Sequence, residues 1–449
     1  MIRLIFSDLR DHATTWIGAF AIAMTCGYIG GWAAALQATA NFYLSDPSLY
    51  KSLQNTVSMV LVFSSIAAVA VLVSTAGLTV SAQRRSYALW QLANVRPRQV
   101  STVVLVQLII VAILGAFCGT LLVAATFAPL FPLVFRLWEP FSRVIPQIDA
   151  SYMPLVWFTI AGVFVLGGLK GARDAGRTLP LFALRSPEQA HSGMTWVRVV
   201  LFCLLAAGTG AVAYIMVHTE PEAVMNWSLY VPLLVVTLLV PLAPLVCSSL
   251  LGAWTSLVPQ NRWNAWFLAR HTARFGLSVS TSVETPIMVG FGLIASLFSI
   301  MKLWETYLLC QGINNFNGLD PTQTVLVLGG PVLLCAIGAA ISVVMTSRSR
   351  TRDVALLIAN GAKPKTLLAA VVCEAFIHTT TATLVGMIGV VLSNLIIASA
   401  VDMPWFADMA FGEGLIVSLA GFILVLVATL IPTLSALNKE TAAVFTVQE

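Results

Sequence analysis

The sequence predicts an all-α polytopic membrane protein, and three observations carry that prediction. Hydrophobic residues make up 58% of the 449 positions and charged residues only 10%, against about 25% charged in a soluble domain, and the mean hydropathy is +0.90. The apolar residues gather into stretches long enough for helices of about 20 residues to cross the hydrocarbon. Ten such spans are centred near Ala23, Ala67, Val111, Val163, Ala207, Val236, Ile294, Ala336, Gly386 and Leu424. The third observation is the sorting of charge between alternate loops.

The net charge of +5 matters less than its distribution. One set of loops holds Arg84, Arg85, Arg96 and Arg98, then Lys170, Arg173, Arg177, Arg185 and Arg198, then Arg262, Arg270 and Arg274, then Arg348, Arg350, Arg352, Lys363 and Lys365. The alternate loops carry mainly acids, among them Asp46, Glu139, Asp149, Glu220, Glu305, Asp320 and Asp402. By the positive-inside rule the basic loops face the cytoplasm, and an even number of spans places both termini there too. A charge pattern set by topology does not point to nucleic acid as a partner. The first apolar stretch is long and has no small-residue cleavage site, so it is expected to stay as a helix. The seven cysteines show neither disulfide nor metal spacing.

In chain order the spans divide four, two, four: a first unit over residues 1–190, a two-span linker over 191–258, and a second unit over 259–449. Each unit opens on a short amphipathic segment, Leu4–Trp16 in the first and Trp266–Ser278 in the second. A span, an outer loop, a span, a basic hairpin and a span follow. A second outer loop and a closing span with a cytoplasmic tail, Lys170–Glu188 or Pro432–Glu449, complete each unit. The middle pair, Trp196–Val217 and Trp227–Leu250, has no counterpart in either unit. Two units that enter from the same side form parallel repeats, related by an axis along the membrane normal. The outer loops are too short for a large extracellular domain.

The hairpins are the clearest trace of the repeat. Gln83–Val100 and Arg350–Leu367 pair Arg85 with Arg352, Ala88 with Ala355, Leu89 with Leu356, Arg96 with Lys363, Pro97 with Pro364 and Arg98 with Lys365. Asn94 then aligns with Gly361, the two residue types that accept a left-handed backbone. Each is expected to end a helix, with a proline three positions on to stop that helix from resuming.

Polar residues inside apolar stretches are the remaining candidates. Glu374, His378 and Thr381 lie at i, i+4 and i+7 on one helix face, and the repeat sets Gln107, Val111 and Leu114 opposite them. An acid at bilayer depth costs about 2.5–3.5 kcal/mol on insertion scales, so Glu374 is expected to face the bundle. The stripe has two open roles: a lining for substrate or a proton-sensitive gate, and a set of interhelical hydrogen bonds. Glu284, two residues before Pro286, either caps a helix start or lies at a half-helix end that binds an ion. The aromatic segment Phe127–Ile145 suits an element in the outer headgroup layer, as a lateral entry for an amphiphile or as an anchor. Gly115 and Gly119 mark a close helix contact.

Together these features resemble the FtsX-like permease family, the membrane subunits of the MacB and lipoprotein-release type of ABC transporter. That family's hairpin pattern is an Arg-x-Glu, small and apolar residues, a Gly and a basic turn, with Glu or Gln in the next span. It is matched by Arg352, Asp353, Ala355, Leu356, Gly361 and Glu374, and more loosely by Arg85, Ser86, Ala88, Leu89, Asn94 and Gln107. The ten-span layout is closest to the bacitracin-efflux and lantibiotic-resistance permeases. Unlike them, this chain has only Glu305–Thr322 between the seventh and eighth spans, where they carry a large extracellular domain, so a ligand-binding domain there is not carried over.

The resemblance implies a non-enzymatic permease subunit, driven by two copies of a separate ABC ATPase docked beneath the hairpins, with ATP and Mg held by that partner. The chain itself has no G-x-x-x-x-G-K-[ST] phosphate loop. Docking is expected at Arg85, Tyr87, Trp90, Arg352, Asp353, Val354 and Leu357. The cargo implied is an amphipathic peptide or lipid-like molecule, with antimicrobial peptide resistance, a sensor kinase partner and a plasma-membrane location as further expectations. The alternatives are a scaffold that transmits force to an envelope partner, and an ion-coupled secondary transporter.

Overall fold

The computed structural model describes residues 7–10, 12–135, 141, 144–177, 196–259, 263–275, 277–312, 329–342, 354, 356–404, 406 and 409–437. Among them all regular structure is helical, without strands. Among the described residues, nine helices are long and apolar enough to cross a membrane. The tenth expected span, near Ala336, coincides with a shorter apolar helix, Gly329–Ser342.

The helices are α1 Ala13–Phe42, α2 Pro47–Ala82, α3 Arg84–Leu92, α4 Pro97–Phe135, α5 Met153–Arg177, α6 Trp196–Val217, α7 Pro221–Ser228, α8 Val231–Ser256, α9 Asn264–Phe275 and α10 Leu277–Cys310. They continue as α11 Gly329–Ser342, α12 Pro364–Ala400 and α13 Phe411–Leu437. Two compact units result: residues 1–188 with 319–338, and residues 189–318 with 339–449.

In the first unit α1 packs most extensively on α4, and α5 closes on α2 and α4. Glycine permits the central crossing: a Cβ at Gly115 would lie 2.7 Å from the Ala23 Cβ, and one at Gly119 would enter the backbone of Met24–Tyr28. In a bilayer, where apolar burial supplies no drive for helices to associate, such close backbone approach is what holds them. Phe127, Phe131 and Phe135 extend α4 past Pro129 and Pro132 and are buried together with Phe141. The part of that aromatic segment over 127–135 is therefore a helix end whose rings form a core with Phe141.

In the second unit α12 is the central helix, packed against α10, α9, α8 and α13. The ring of Phe291 on α10 sits in a notch left by two glycines, since a Cβ at Gly386 or at Gly414 would lie 2.6 Å from it.

Candidate functional site

The two hairpins have the same construction. In the first, the Asn94 N–H donates to the Gln91 carbonyl and the Val95 N–H to the Trp90 carbonyl. In the second, the Gly361 N–H donates to the Ile358 carbonyl and the Ala362 N–H to the Leu357 carbonyl. Both are Schellman closures, in which a left-handed residue satisfies the last helical carbonyls. The left-handed residues are Asn94 at φ 67° and Gly361 at φ 85°. Pro97 and Pro364 then open α4 and α12, where a missing amide hydrogen costs nothing.

Burial repeats as well. Tyr87 and Val354 are buried, Leu89 and Leu356 are exposed at 50% and 43%, and Trp90 and Leu357 are intermediate. Of the expected docking residues, Tyr87 and Val354 thus point inward. The Tyr87 hydroxyl donates to Gln83 and its ring meets Trp90 edge-on. Burial first, and then the nearby Asp8 carboxylate, push its phenol well above the usual range. Arg85 belongs to α3. Arg352 and Asp353 lie outside the described residues. The outward apolar positions Leu89, Leu92 and Leu356 escaped a reading that weighted the aromatic and charged residues, although the pairing of Leu89 with Leu356 was visible.

Each hairpin is fastened to the bundle that carries it. Gln91 donates to the Ala175 carbonyl at 2.7 Å and Ser101 to the Ala172 carbonyl at 2.8 Å, which binds hairpin and α4 to the end of α5. In the second unit Val354, Leu357, Ile358, Ala362 and Leu367 cluster with Leu268 of α9 and Leu437 of α13. A polar pocket of about 370 Å³ beside this second turn is lined by Trp263, Asn264, Ala265, Lys365, Thr366 and Ala369.

The leading amphipathic segment of the first unit joins through Asp8, whose carboxylate accepts from Gln107 at 2.8 Å and lies 3.0 Å from His12 Nδ1. The corresponding positions in the second unit are Arg270 and Glu374. Arg270 is buried on α9, on the helix whose Trp266, Ala269 and Ala273 pack on Cys373 and Ile377 of α12.

Within the second unit, His378 Nδ1 is 2.9 Å from Glu284 Oε1 and its Nε2 is 3.6 Å from Glu374 Oε1. The three residues are 4%, 1% and 6% exposed, in that order. The Cys247 thiol of α8 adjoins Glu284. One turn beyond His378, the Thr381 hydroxyl accepts from Trp254 Nε1 at 3.0 Å. Glu284 does not cap a helix start, because α10 begins at Leu277 and runs on through Pro286. No cluster suited to a metal ion occurs among the described residues.

In the first unit an apolar cavity of about 220 Å³ is lined by Tyr28, Ile29, Trp32 and Leu36 of α1, Val60 of α2, Val134 of α4 and Gly329, Gly330 and Leu333 of α11.

Twin capped hairpins and a buried acid in the following span form the constellation read above as a resemblance, and residues 324–441 match the model of the FtsX-like permease C-terminal domain. This match, over residues 324–441 alone, supports the FtsX-like permease family. No curated protein matches it. FtsX-like permeases generally work with ABC ATPases, and the match implies a permease-type membrane component; the apolar helices point to a multi-pass protein. The matched residues take in the second hairpin, α12 and α13.

Proposed function

We propose that this FtsX-like permease couples ATP binding and hydrolysis by a separate ABC ATPase to the movement of an amphipathic peptide or lipid-like molecule. Two ATPase copies, holding ATP and Mg, dock beneath the two hairpins. The observation that carries this reading is the repeated hairpin. Two short helices of matching burial end in the same Schellman closure, present leucines to the outside, Leu89 and Leu92 in one and Leu356 in the other, and are fastened inward to the spans. An apolar anchor with basic residues around it is the usual make-up of a protein interface. Arg96 and Arg98 in one turn, and Lys363 and Lys365 in the other, supply that rim.

A push on α3 travels through Gln91 and Ser101 to α5, and a push on the second hairpin through its apolar cluster to α9 and α13. The apolar cavity of the first unit supports a cargo with a hydrocarbon portion. Resistance to envelope-directed antimicrobial peptides, with a sensor kinase beside the transporter, fits a plasma-membrane permease of this layout with both termini cytoplasmic.

The test is co-purification of the tagged permease with a co-expressed ABC ATPase partner. Leu89→Glu and Leu356→Glu together should abolish the complex, and each alone should weaken it. A complex recovered in full from the double variant overturns the docking site.

A further inference from the structure

The buried charges of the second unit do not balance as neutral imidazole and ionised carboxylates. Glu284 and Glu374 set two carboxylates against the His378 ring, and Arg270 on α9 is buried as well. A neutral imidazole has one N–H and one bare nitrogen. Here both ring nitrogens face carboxylate oxygens, so the neutral ring would set a lone pair against a carboxylate on one side. The imidazolium donates toward both and offsets one of the two carboxylate charges. In a bilayer, where an uncompensated charge is costly, a ring protonated on both nitrogens fits this geometry better than a neutral one.

We propose that Glu284, His378 and Glu374 form a proton-binding site, in which one exchangeable proton, held on the imidazole between the two carboxylates, ties α10 to α12. The groups that packed elements bring to this layer are Cys247 from α8, Arg270 from α9 and Glu284 from α10, with Cys373 and Glu374 on α12 itself. Of the others, Arg198 is in the first turn of α6, His271 of α9 meets Phe267 and Arg274 of α9 lies beside Gly252 of α8, Glu413 of α13 pairs with Lys302 at 2.7 Å, and Glu220 precedes α7, whose Val224 clusters with Ile397 and Ala398 at the opposite end of α12. Toward that same end the site is closed by Phe291 in its glycine notch. The first unit has no such site, because Val111 and Gln107 occupy the positions of His378 and Glu374.

The experiment is nitrogen NMR of the full-length chain, labelled with ¹⁵N-histidine, in lipid nanodiscs. The five histidines give five ring pairs, and His378→Gln assigns the one of interest. At neutral pH His378 should carry protons on both ring nitrogens, and Glu284→Gln or Glu374→Gln should each convert it to a single tautomer. A wild-type His378 with one ring proton at neutral pH overturns the proposal without recourse to any variant.

The tie has its own readout. The thermal midpoint of wild type should fall as alkaline pH removes the proton, and the fixed cation of His378→Lys should flatten that fall. An equal fall in wild type and His378→Gln overturns the tie. Neither measurement involves the ATPase, so both are independent of where the ATPase docks.

Discussion

Asp46 shows how single side chains hold the helix ends. Its carboxylate accepts from the Ser48 hydroxyl and from the Ser48 and Leu49 amides, so its side chain caps the start of α2. Chiefly through the Ser48 hydroxyl, these bonds hold its carboxyl below the ordinary carboxylate range. A group whose folded value is depressed contributes stability above the unfolded value, and that contribution is lost as pH falls through the folded one. The thermal midpoint should therefore drop below about pH 4, the ordinary Asp value, and Asp46→Ala should shrink that drop when the two titrations are compared. Gly361 tests the backbone instead. A Cβ there meets nothing within 4 Å, so only its φ of +85° resists substitution. Gly361→Val should cost about 1–2 kcal/mol in denaturant unfolding. Gly361→Asn should cost much less, because Asn94 already holds that conformation in the first hairpin.

Between helices, the decisive quantity is how closely two axes approach. At Gly119 α4 lies against the backbone of α1, and any side chain must move one of them. Gly119→Leu should destabilise the first unit by at least the 1–3 kcal/mol typical of an overpacked core, read as a lower thermal midpoint. Gly77, with nothing within 4 Å of its Cβ position, is the matched control and should tolerate alanine. The fastening of α3 can be weakened more gently. Gln91→Ala removes the bond to the Ala175 carbonyl, worth about 0.5–1.5 kcal/mol. If the hairpin transmits motion to α5, it should lower ATP-driven transport while leaving ATPase binding intact. Unchanged transport would show that this bond carries no motion.

Orientation in the membrane belongs to the chain as a whole. The hairpin turns are exposed at Asn94 and Gly361, and the α1–α2 turn is exposed at Ser48. With both hairpins cytoplasmic, an impermeant maleimide should label Ser48→Cys in intact cells. It should reach Asn94→Cys and Gly361→Cys only after permeabilisation, all in a Cys310→Ser background. Labelling of the hairpins in intact cells would place them outside, where no ATPase can act.

The apolar helices and the paired hairpins could be read from residue order, because each depends on local composition or on a short pattern set down twice. The left-handed ends at Asn94 and Gly361 were legible for the same reason: backbone sterics act within one residue. Partners distant in sequence were not. His378 meets Glu284 across 94 residues, Gln107 meets Asp8 across 99 and Trp254 meets Thr381 across 127. A helical pattern tells which residues share a face, but not which neighbouring helix that face will meet or at what height. Glu284 could therefore pass for a helix cap until α10 was seen to run through Pro286, and Tyr87 for a docking residue until its ring was seen turned inward. Packing decided both, since it alone sets the distance between groups that the chain keeps far apart.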